Sequence, residues 1–134
     1  MSSNTKKYDS TATNKFYEKA NELRLENMFK EAISNYLNAI LIDRNNAESY
    51  YGLGVCYKNL QKFPKAIKYL ETAAELKEDY YEAYFELGIC HLLEGIPCGA
   101  IKNFVRAIQI NPDNPDAILQ LELHMNFVKK PTWH

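Results

Sequence analysis

Residues 47–80 read AESYYGLGVCYKNLQKFPKAIKYLETAAELKEDY, and residues 81–114 repeat the pattern of this stretch. In each stretch, apolar and small residues recur at the spacing of one helix face on both sides of a short turn. Each stretch is therefore predicted to form two helices that pack against each other. The matching residues stand 34 positions apart: Tyr50 and Tyr84, Leu53 and Leu87, Gly54 and Gly88, Ala66 and Ala100, Ala73 and Ala107.

The same step taken backwards finds a third copy, in which Ala32 and Ala39 precede Ala66 and Ala73. A period of about 34 residues with an aromatic residue, Leu-Gly, a second aromatic residue and then Ala, aromatic, Ala resembles the tetratricopeptide repeat (TPR) family. The resemblance implies an all-α fold. The implied architecture is an α-α superhelix, the TPR solenoid, made of three helix-turn-helix repeats plus a C-terminal capping helix.

The repeat register divides the chain into a tail, three repeats, a cap and a second tail. Residues 1–12 are rich in Ser, Thr, Asn and Lys, so they are predicted to form a disordered N-terminal tail. The first repeat has Lys19-Ala20 in place of Leu-Gly, which suits the polar outer face of a terminal repeat. The predicted TPR domain covers residues 13–130, with repeats at 13–46, 47–80 and 81–114, the capping helix at 115–130 and a C-terminal tail at 131–134.

Composition and charge narrow the class of partner. The chain has 134 residues and a formal net charge of −1, from 16 basic and 17 acidic residues, so no basic excess favours nucleic acid or an anionic membrane. No apolar run approaches the roughly 18 residues of a membrane helix. Three cysteines are an odd number, and two of them occupy packing positions, which suits a reducing compartment such as the cytoplasm.

Motifs for catalysis or cofactor binding do not occur in the sequence. There is no P-loop, dinucleotide-binding, zinc-protease or serine-hydrolase motif. His91, His124 and His134 lack paired metal-ligand spacing, and His91 stands where the second repeat has Tyr57, so we interpret it as a residue at the edge of the core. The sequence therefore predicts a protein that is not an enzyme, with no cofactor and no metal.

In the TPR family the first helices of the repeats line a concave groove. Each first helix here carries a second aromatic residue beside the one that begins it, and core packing does not explain the second. We therefore predict that the groove binds an extended peptide; filling between adjacent repeats is the alternative role of this aromatic row. The predicted groove residues are Tyr17, Asn21, Glu48, Tyr51, Val55, Asn59, Glu82, Phe85, Glu86, Ile89 and Leu92.

The polar members of this set suggest the chemistry of the partner. Asn21 and Asn59 are expected to hold the peptide backbone, which an extended ligand leaves unpaired. Glu48, Glu82 and Glu86 are expected to favour an apolar segment that carries Lys or Arg. The alternative for the acidic row is stabilisation of helix N-termini, where the dipole favours acids whatever binds.

Some family members hold the C-terminal carboxylate of heat-shock chaperones with a clamp of Lys, Asn and Arg. In the repeat register, one clamp Asn corresponds to Asn21, but Tyr17 stands at the position of the Lys and Gly52 at that of the second Asn. Glu82 and Glu86 stand where the family has a basic pair, so the clamp function is not expected. The length and layout also resemble bacterial secretion chaperones that hold translocator proteins.

The capping helix carries two apolar stripes. One stripe is expected to cover the third repeat. The other consists of Leu119, Leu123 and Phe127, and it has two interpretations. It packs against the tail 131–134, or it forms a subunit or ligand contact. The second interpretation gives the alternative function: a structural TPR protein that forms a homodimer through its C-terminal helix.

Overall fold

Helices account for the regular structure of the described residues. The structure is a computed structural model that describes residues 10–129, with side chains described for residues 11–125. Within these residues there are seven helices and no strand, and they form two compact units that meet at the Glu78–Asp79 bond. The first unit contains α1 (Ser10–Leu25), α2 (Phe29–Ile42), α3 (Ala47–Asn59) and α4 (Phe63–Leu76), and the second contains α5 (Tyr81–Leu93), α6 (Pro97–Ile110) and α7 (Pro115–Lys129).

The N-terminal boundary differs from the sequence prediction. Helix α1 begins at Ser10, whereas the predicted disordered tail extends to residue 12. Residues 10–12 therefore belong to the first turn of α1, and Thr13, directly after them, is buried, with 3% of its surface exposed. The predicted tails at residues 1–9 and 131–134 lie outside the described residues.

The turn inside each helix pair has the same backbone geometry three times. One residue of each turn has a positive φ, which is 62° at Asn27, 62° at Gln61 and 75° at Gly95. This is the Schellman motif, which ends a helix by pairing its last carbonyl groups with amides beyond the turn. The diagnostic bonds run from Met28 N–H to the Leu23 carbonyl (2.8 Å), from Lys62 N–H to the Tyr57 carbonyl (2.9 Å) and from Ile96 N–H to the His91 carbonyl (2.8 Å).

Small residues allow the helices of the first unit to approach closely. Gly54 in α3 faces α4, and a Cβ at this position would lie 2.7 Å from Leu70 Cδ2 and 3.2 Å from the Ala66 carbonyl oxygen. This close approach of α3 and α4 near Ala66 explains a glycine inside a helix, at a cost of about 1 kcal/mol relative to alanine. The core of this unit is formed by Ala20, Leu23, Ala32, Tyr36, Leu53 and Cys56.

The second unit has its own core, which α7 completes. Phe104 of α6 is fully buried, and Gly88 of α5 leaves room for its ring. Ala117 of α7 is also fully buried, and its N–H donates a hydrogen bond of 3.3 Å to the Tyr81 hydroxyl. Leu121 adds apolar contact from the same helix. Helix α7 therefore covers the face that the α5–α6 pair presents to it.

The three cysteines are unbridged thiols with different environments. Cys56 and Cys90 are buried, whereas Cys98 is exposed at the start of α6. Burial raises the pKa of the Cys56 thiol to about 12, although the nearby Arg24 charge acts in the opposite direction. We predict that a thiol reagent modifies Cys98 first in the native protein, and Cys56 and Cys90 only after unfolding. Mass spectrometry of timed labelling tests this, and equal labelling rates for all three thiols would contradict it.

Candidate functional site

The predicted aromatic residues of the first unit lie on α1 and α3 with part of their surface open to solvent. Tyr17 is half-buried, and its ring lies 6.2 Å from the ring of Tyr36, at an angle of 56°. Tyr51 is also half-buried. Because Tyr36 has no exposed surface, Tyr17 rests on a fixed part of the core. Tyr17 thus packs on the core and keeps part of its surface exposed.

A chain of hydrogen bonds joins α1 to α2 in the same region. Arg24 Nε donates to the Tyr36 hydroxyl at 2.9 Å, and this hydroxyl donates to Asn21 Oδ1. Burial raises the pKa of Tyr36, and the hydrogen bond from Arg24 opposes this rise. Burial lowers the pKa of Arg24, but its hydrogen bond to Tyr36 and the nearby tyrosines raise it, and the balance stays above the ordinary value. The guanidinium group is therefore a permanent cation in a half-buried position.

Tyr36 is not among the residues that the sequence predicts for the site. In the 34-residue register it corresponds to Leu70 and Phe104, which are buried core residues of the other repeats. The sequence feature that could have indicated a polar site is the hydroxyl group, which only this repeat has at that position. A buried tyrosine hydroxyl usually has a hydrogen-bond partner, so the residue predicts a polar neighbour without identifying it.

Two other predicted residues of α3 contribute less open surface than expected. Val55, a predicted groove residue, is only 7% exposed, so it offers little surface to a ligand. The reason is that α3 is buried at five consecutive positions, from Gly52 to Cys56, so most of its circumference is covered. Asn59 is exposed, but its Nδ2 donates to the Val55 carbonyl at 2.8 Å, so one of its donors is already used within the helix.

The three residues of the predicted acidic row differ in ion pairing and in exposure. Glu48 forms an ion pair with Lys77, at 3.7 Å between Oε2 and Nζ, and both side chains are 45% exposed. In the second unit, Glu82 is exposed and Glu86 is half-buried. Glu82 is therefore the most exposed of the three acidic residues, since Glu48 and Glu86 are both half-buried.

The apolar groove residues of the second unit are half-buried. Phe85 lies between two rings, with its centroid 6.2 Å from Tyr81 and 5.8 Å from the buried Phe104. Ile89 and Leu92 pack against the same core cluster. Phe85 therefore resembles Tyr17 in the first unit, since both rings rest on a buried aromatic side chain and keep partial exposure.

The second apolar stripe of α7 is open where its side chains are described. Leu119 is 53% exposed and Leu123 is 56% exposed. They stand one helical turn apart, so they form a small ridge on one face. The side chain of Phe127, the third predicted residue of this stripe, lies outside the described side chains.

Other features of the described surface lie away from the predicted groove. One cavity of about 400 Å³ is lined by Lys15, Phe16, Glu18, Lys19, Glu22 and Asn35, and another of about 520 Å³ by Tyr84, Lys102, Asn103, Val105, Arg106 and Gln109. Neither cavity includes a predicted groove residue. Among residues 10–129, no cluster of three or more His, Cys, Asp or Glu side chains is arranged for a metal ion. Within the same range, every helix is too short or too polar to cross a membrane.

Comparison with family models and curated proteins finds related sequences. A model described as tetratricopeptide repeat matches residues 47–80, and a model described as TPR repeat matches residues 20–61. The BBSome complex member BBS4 of Mus musculus is 34% identical over 105 residues, which cover 78% of this chain and 20% of that protein. The chain thus spans about a fifth of the length of the curated relatives it matches.

Solved structures show the same fold. The first TPR of Spaghetti (RPAP3), bound to the HSP90 peptide SRMEEVD, has a TM-score of 0.87 at 24% identity and covers 92% of this chain and 98% of its own. The type III secretion translocator chaperone SycD of Yersinia enterocolitica, in an alternative dimer, has a TM-score of 0.85 at 17% identity, with coverage of 91% and 98%. These likenesses concern the fold alone, and they confirm the predicted class, an all-α TPR superhelix.

Proposed function

Because this chain belongs to the tetratricopeptide repeat family, we propose that it is a non-catalytic protein-interaction module that binds an extended peptide along the first helices of its repeats. Its partner is a protein segment with apolar side chains and Lys or Arg beside them. The module has no cofactor and acts in a reducing compartment, the cytoplasm, where its three thiols stay unbridged.

One observation carries this proposal: two aromatic residues of the first helices pack on buried aromatic rings and keep part of their own surface exposed. The ring of Tyr17 packs on Tyr36 and the ring of Phe85 packs on Phe104, and Tyr17 and Phe85 are both half-buried. A ring that the core already holds loses little conformational freedom when a ligand covers it. Rigid aromatic side chains of this kind are the usual anchors of binding energy at interfaces.

The solved relatives support a peptide as the ligand class, but not the same peptide. The Spaghetti domain was solved with SRMEEVD, a segment with three acidic residues. In this chain the corresponding basic positions hold Tyr17, Glu82 and Glu86, and Glu82 is exposed. Carboxylates repel an acidic segment and attract Lys or Arg. The effect of these charges is mainly on selectivity and on the association rate. We therefore propose a partner with basic residues near Glu82.

The test uses a peptide selected from a displayed library of random 12-residue sequences and titrated by calorimetry. Replacing Tyr51 by alanine is expected to weaken binding by on the order of 2 kcal/mol, about 30-fold in Kd, because it removes an aromatic anchor. Lys68→Ala serves as the control. It changes an exposed residue of α4, which is the second helix of its repeat and carries no predicted groove residue. Wild-type affinity in Tyr51→Ala, combined with loss of binding in Lys68→Ala, would overturn the groove assignment.

A second candidate function is self-association through α7. The ridge of Leu119 and Leu123 favours it, because two leucines that are more than half exposed form an apolar contact surface. SycD, a structural relative, was solved in an alternative dimer. Sedimentation of wild type and Leu123→Glu across a concentration series separates this function from peptide binding. A concentration-dependent dimer that the substitution abolishes supports it, and a monomer at all concentrations contradicts it.

A further inference from the structure

The hydrogen-bond chain of Asn21, Tyr36 and Arg24 has a defined polarity. The Tyr36 hydroxyl accepts from Arg24 Nε at 2.9 Å and spends its one hydrogen on Asn21 Oδ1. The amide oxygen of Asn21 therefore turns toward the tyrosine, and its Nδ2 group turns away. The hydrogens that remain are the two on Asn21 Nδ2 and the four on the terminal nitrogens of Arg24. The cluster consequently presents donors to an incoming ligand.

Arg24 differs from two lysines of the first unit that have a carboxylate partner. Lys19, on the same helix, lies 3.9 Å from Glu22, and Lys77 lies 3.7 Å from Glu48. Arg24 is half-buried, its one hydrogen bond goes to the neutral Tyr36 hydroxyl, and no carboxylate among the described residues pairs with it. A partly desolvated cation without a counter-charge is unfavourable in the free protein, and an anionic ligand removes this cost.

The surroundings of Arg24 place the site beside the proposed aromatic anchors. Tyr17 packs on the ring of Tyr36, and Tyr51 of α3 lies near enough to Arg24 to interact with its charge. A peptide segment that contacts both Tyr17 and Tyr51 would therefore bring one of its residues close to Arg24. In an extended segment that continues past both anchors this residue is internal, so only its side chain can carry a negative charge to the pair.

From these observations we propose that Asn21 and Arg24, oriented by Tyr36, form a binding site for the carboxylate of an internal Asp or Glu side chain in the partner segment. The inference rests on the proposed function and adds a second specificity element to it. Asn21 Nδ2 and the Arg24 terminal nitrogens donate to the two carboxylate oxygens, and Tyr36 is the positioning residue. The partner thus carries an acidic residue over α1 in addition to its basic residues near Glu82.

The test uses three short probes and the side-chain NMR signals of Arg24 Nε–H and Asn21 Nδ2. The probes are N-acetyl-Leu-Glu-Leu-amide, N-acetyl-Leu-Gln-Leu with a free C-terminus, and N-acetyl-Leu-Gln-Leu-amide, all at constant ionic strength. The first probe is expected to shift both signals in a saturable manner, the second to bind more weakly, and the third to cause no shift. Equal shifts from the uncharged probe would overturn the site, and tighter binding of the free C-terminus would overturn the side-chain assignment.

Variants separate the roles of the three residues. Arg24→Gln is expected to abolish binding of the glutamate probe, as read from the Asn21 signal, and Tyr36→Phe to weaken it at least fivefold, since the ring stays and only the hydroxyl is lost. Lys19→Gln makes the same charge change on α1 and should retain wild-type affinity. Equal weakening by Lys19→Gln and Arg24→Gln would show a non-specific charge effect and overturn the site. If Tyr36→Phe does not fold, Asn21→Leu is used instead, and it is expected to weaken binding of the glutamate probe as read from the Arg24 signal.

This experiment is independent of the test of the proposed function. The probes are three residues long and report on signals of α1, so binding to them does not require the anchor Tyr51. Loss of the glutamate site would leave the effect of Tyr51→Ala on the selected peptide unchanged. Conversely, a wild-type result for Tyr51→Ala would leave the probe titrations intact.

Discussion

Deleting residues 115–134 is expected to lower the melting temperature by about 10 °C or to cause aggregation. The deletion removes α7 and so exposes the apolar core of the second unit around Phe104, Tyr81 and Ile108. It also removes Ala117, which is fully buried and donates a backbone hydrogen bond to Tyr81. Exposing several buried side chains costs on the order of 3 kcal/mol. A repeat cannot bury its face alone, so no other part of the second unit replaces α7.

Thermal unfolding by circular dichroism and light scattering measure these two effects. The matched control deletes residues 131–134 and keeps α7 (Pro115–Lys129) intact. This control should unfold close to the wild-type temperature. A truncated protein that remains monomeric and melts at the wild-type temperature would show that α7 does not act as a cap.

Replacing Gly52 by alanine is expected to destabilise the first unit by about 1–3 kcal/mol. On helix propensity alone the change should stabilise α3, because alanine is better than glycine by about 1 kcal/mol. Packing against Tyr36 reverses the sign of this expected change in stability. A Cβ at Gly52 would lie 2.5 Å from Tyr36 Cε1 and 2.6 Å from the Tyr36 hydroxyl oxygen, and Tyr36 is fully buried, so its ring has no free space to move into.

A double-mutant cycle with Tyr36→Leu tests the cause of this effect. Leucine is the residue that the second repeat has at the equivalent position, Leu70. Without the tyrosine ring the added methyl group has space, so Gly52→Ala should cost less in the Tyr36→Leu background, by about 1 kcal/mol or more. Urea unfolding gives the four free energies of unfolding. A Gly52→Ala protein that is more stable than wild type would mean that the close approach to Tyr36 does not exist.

The sequence by itself determined the fold class and the repeated pairing of helices. The 34-residue period aligned Gly54 with Gly88 and Ala66 with Ala100, and these are the small residues at which paired helices meet. The period works because each repeat must bury the same face against its neighbours, so the same positions stay small or apolar. The turn geometry follows the same period, although Asn27, Gln61 and Gly95 share no residue type.

The tertiary structure alone decided which side chains meet across helices. The repeat register treated Tyr36, Leu70 and Phe104 as equivalent, but only Tyr36 carries a hydroxyl that reaches Asn21 and Arg24, and Gly52 provides the space for it. The pairing of Glu48 with Lys77 and the burial of Val55 were likewise not predicted. A period identifies equivalent positions along the chain, whereas these contacts depend on the length and polarity of individual side chains from different helices. Packing distances of a few ångströms therefore set the chemistry of the candidate site within a fold that the repeat pattern already specifies.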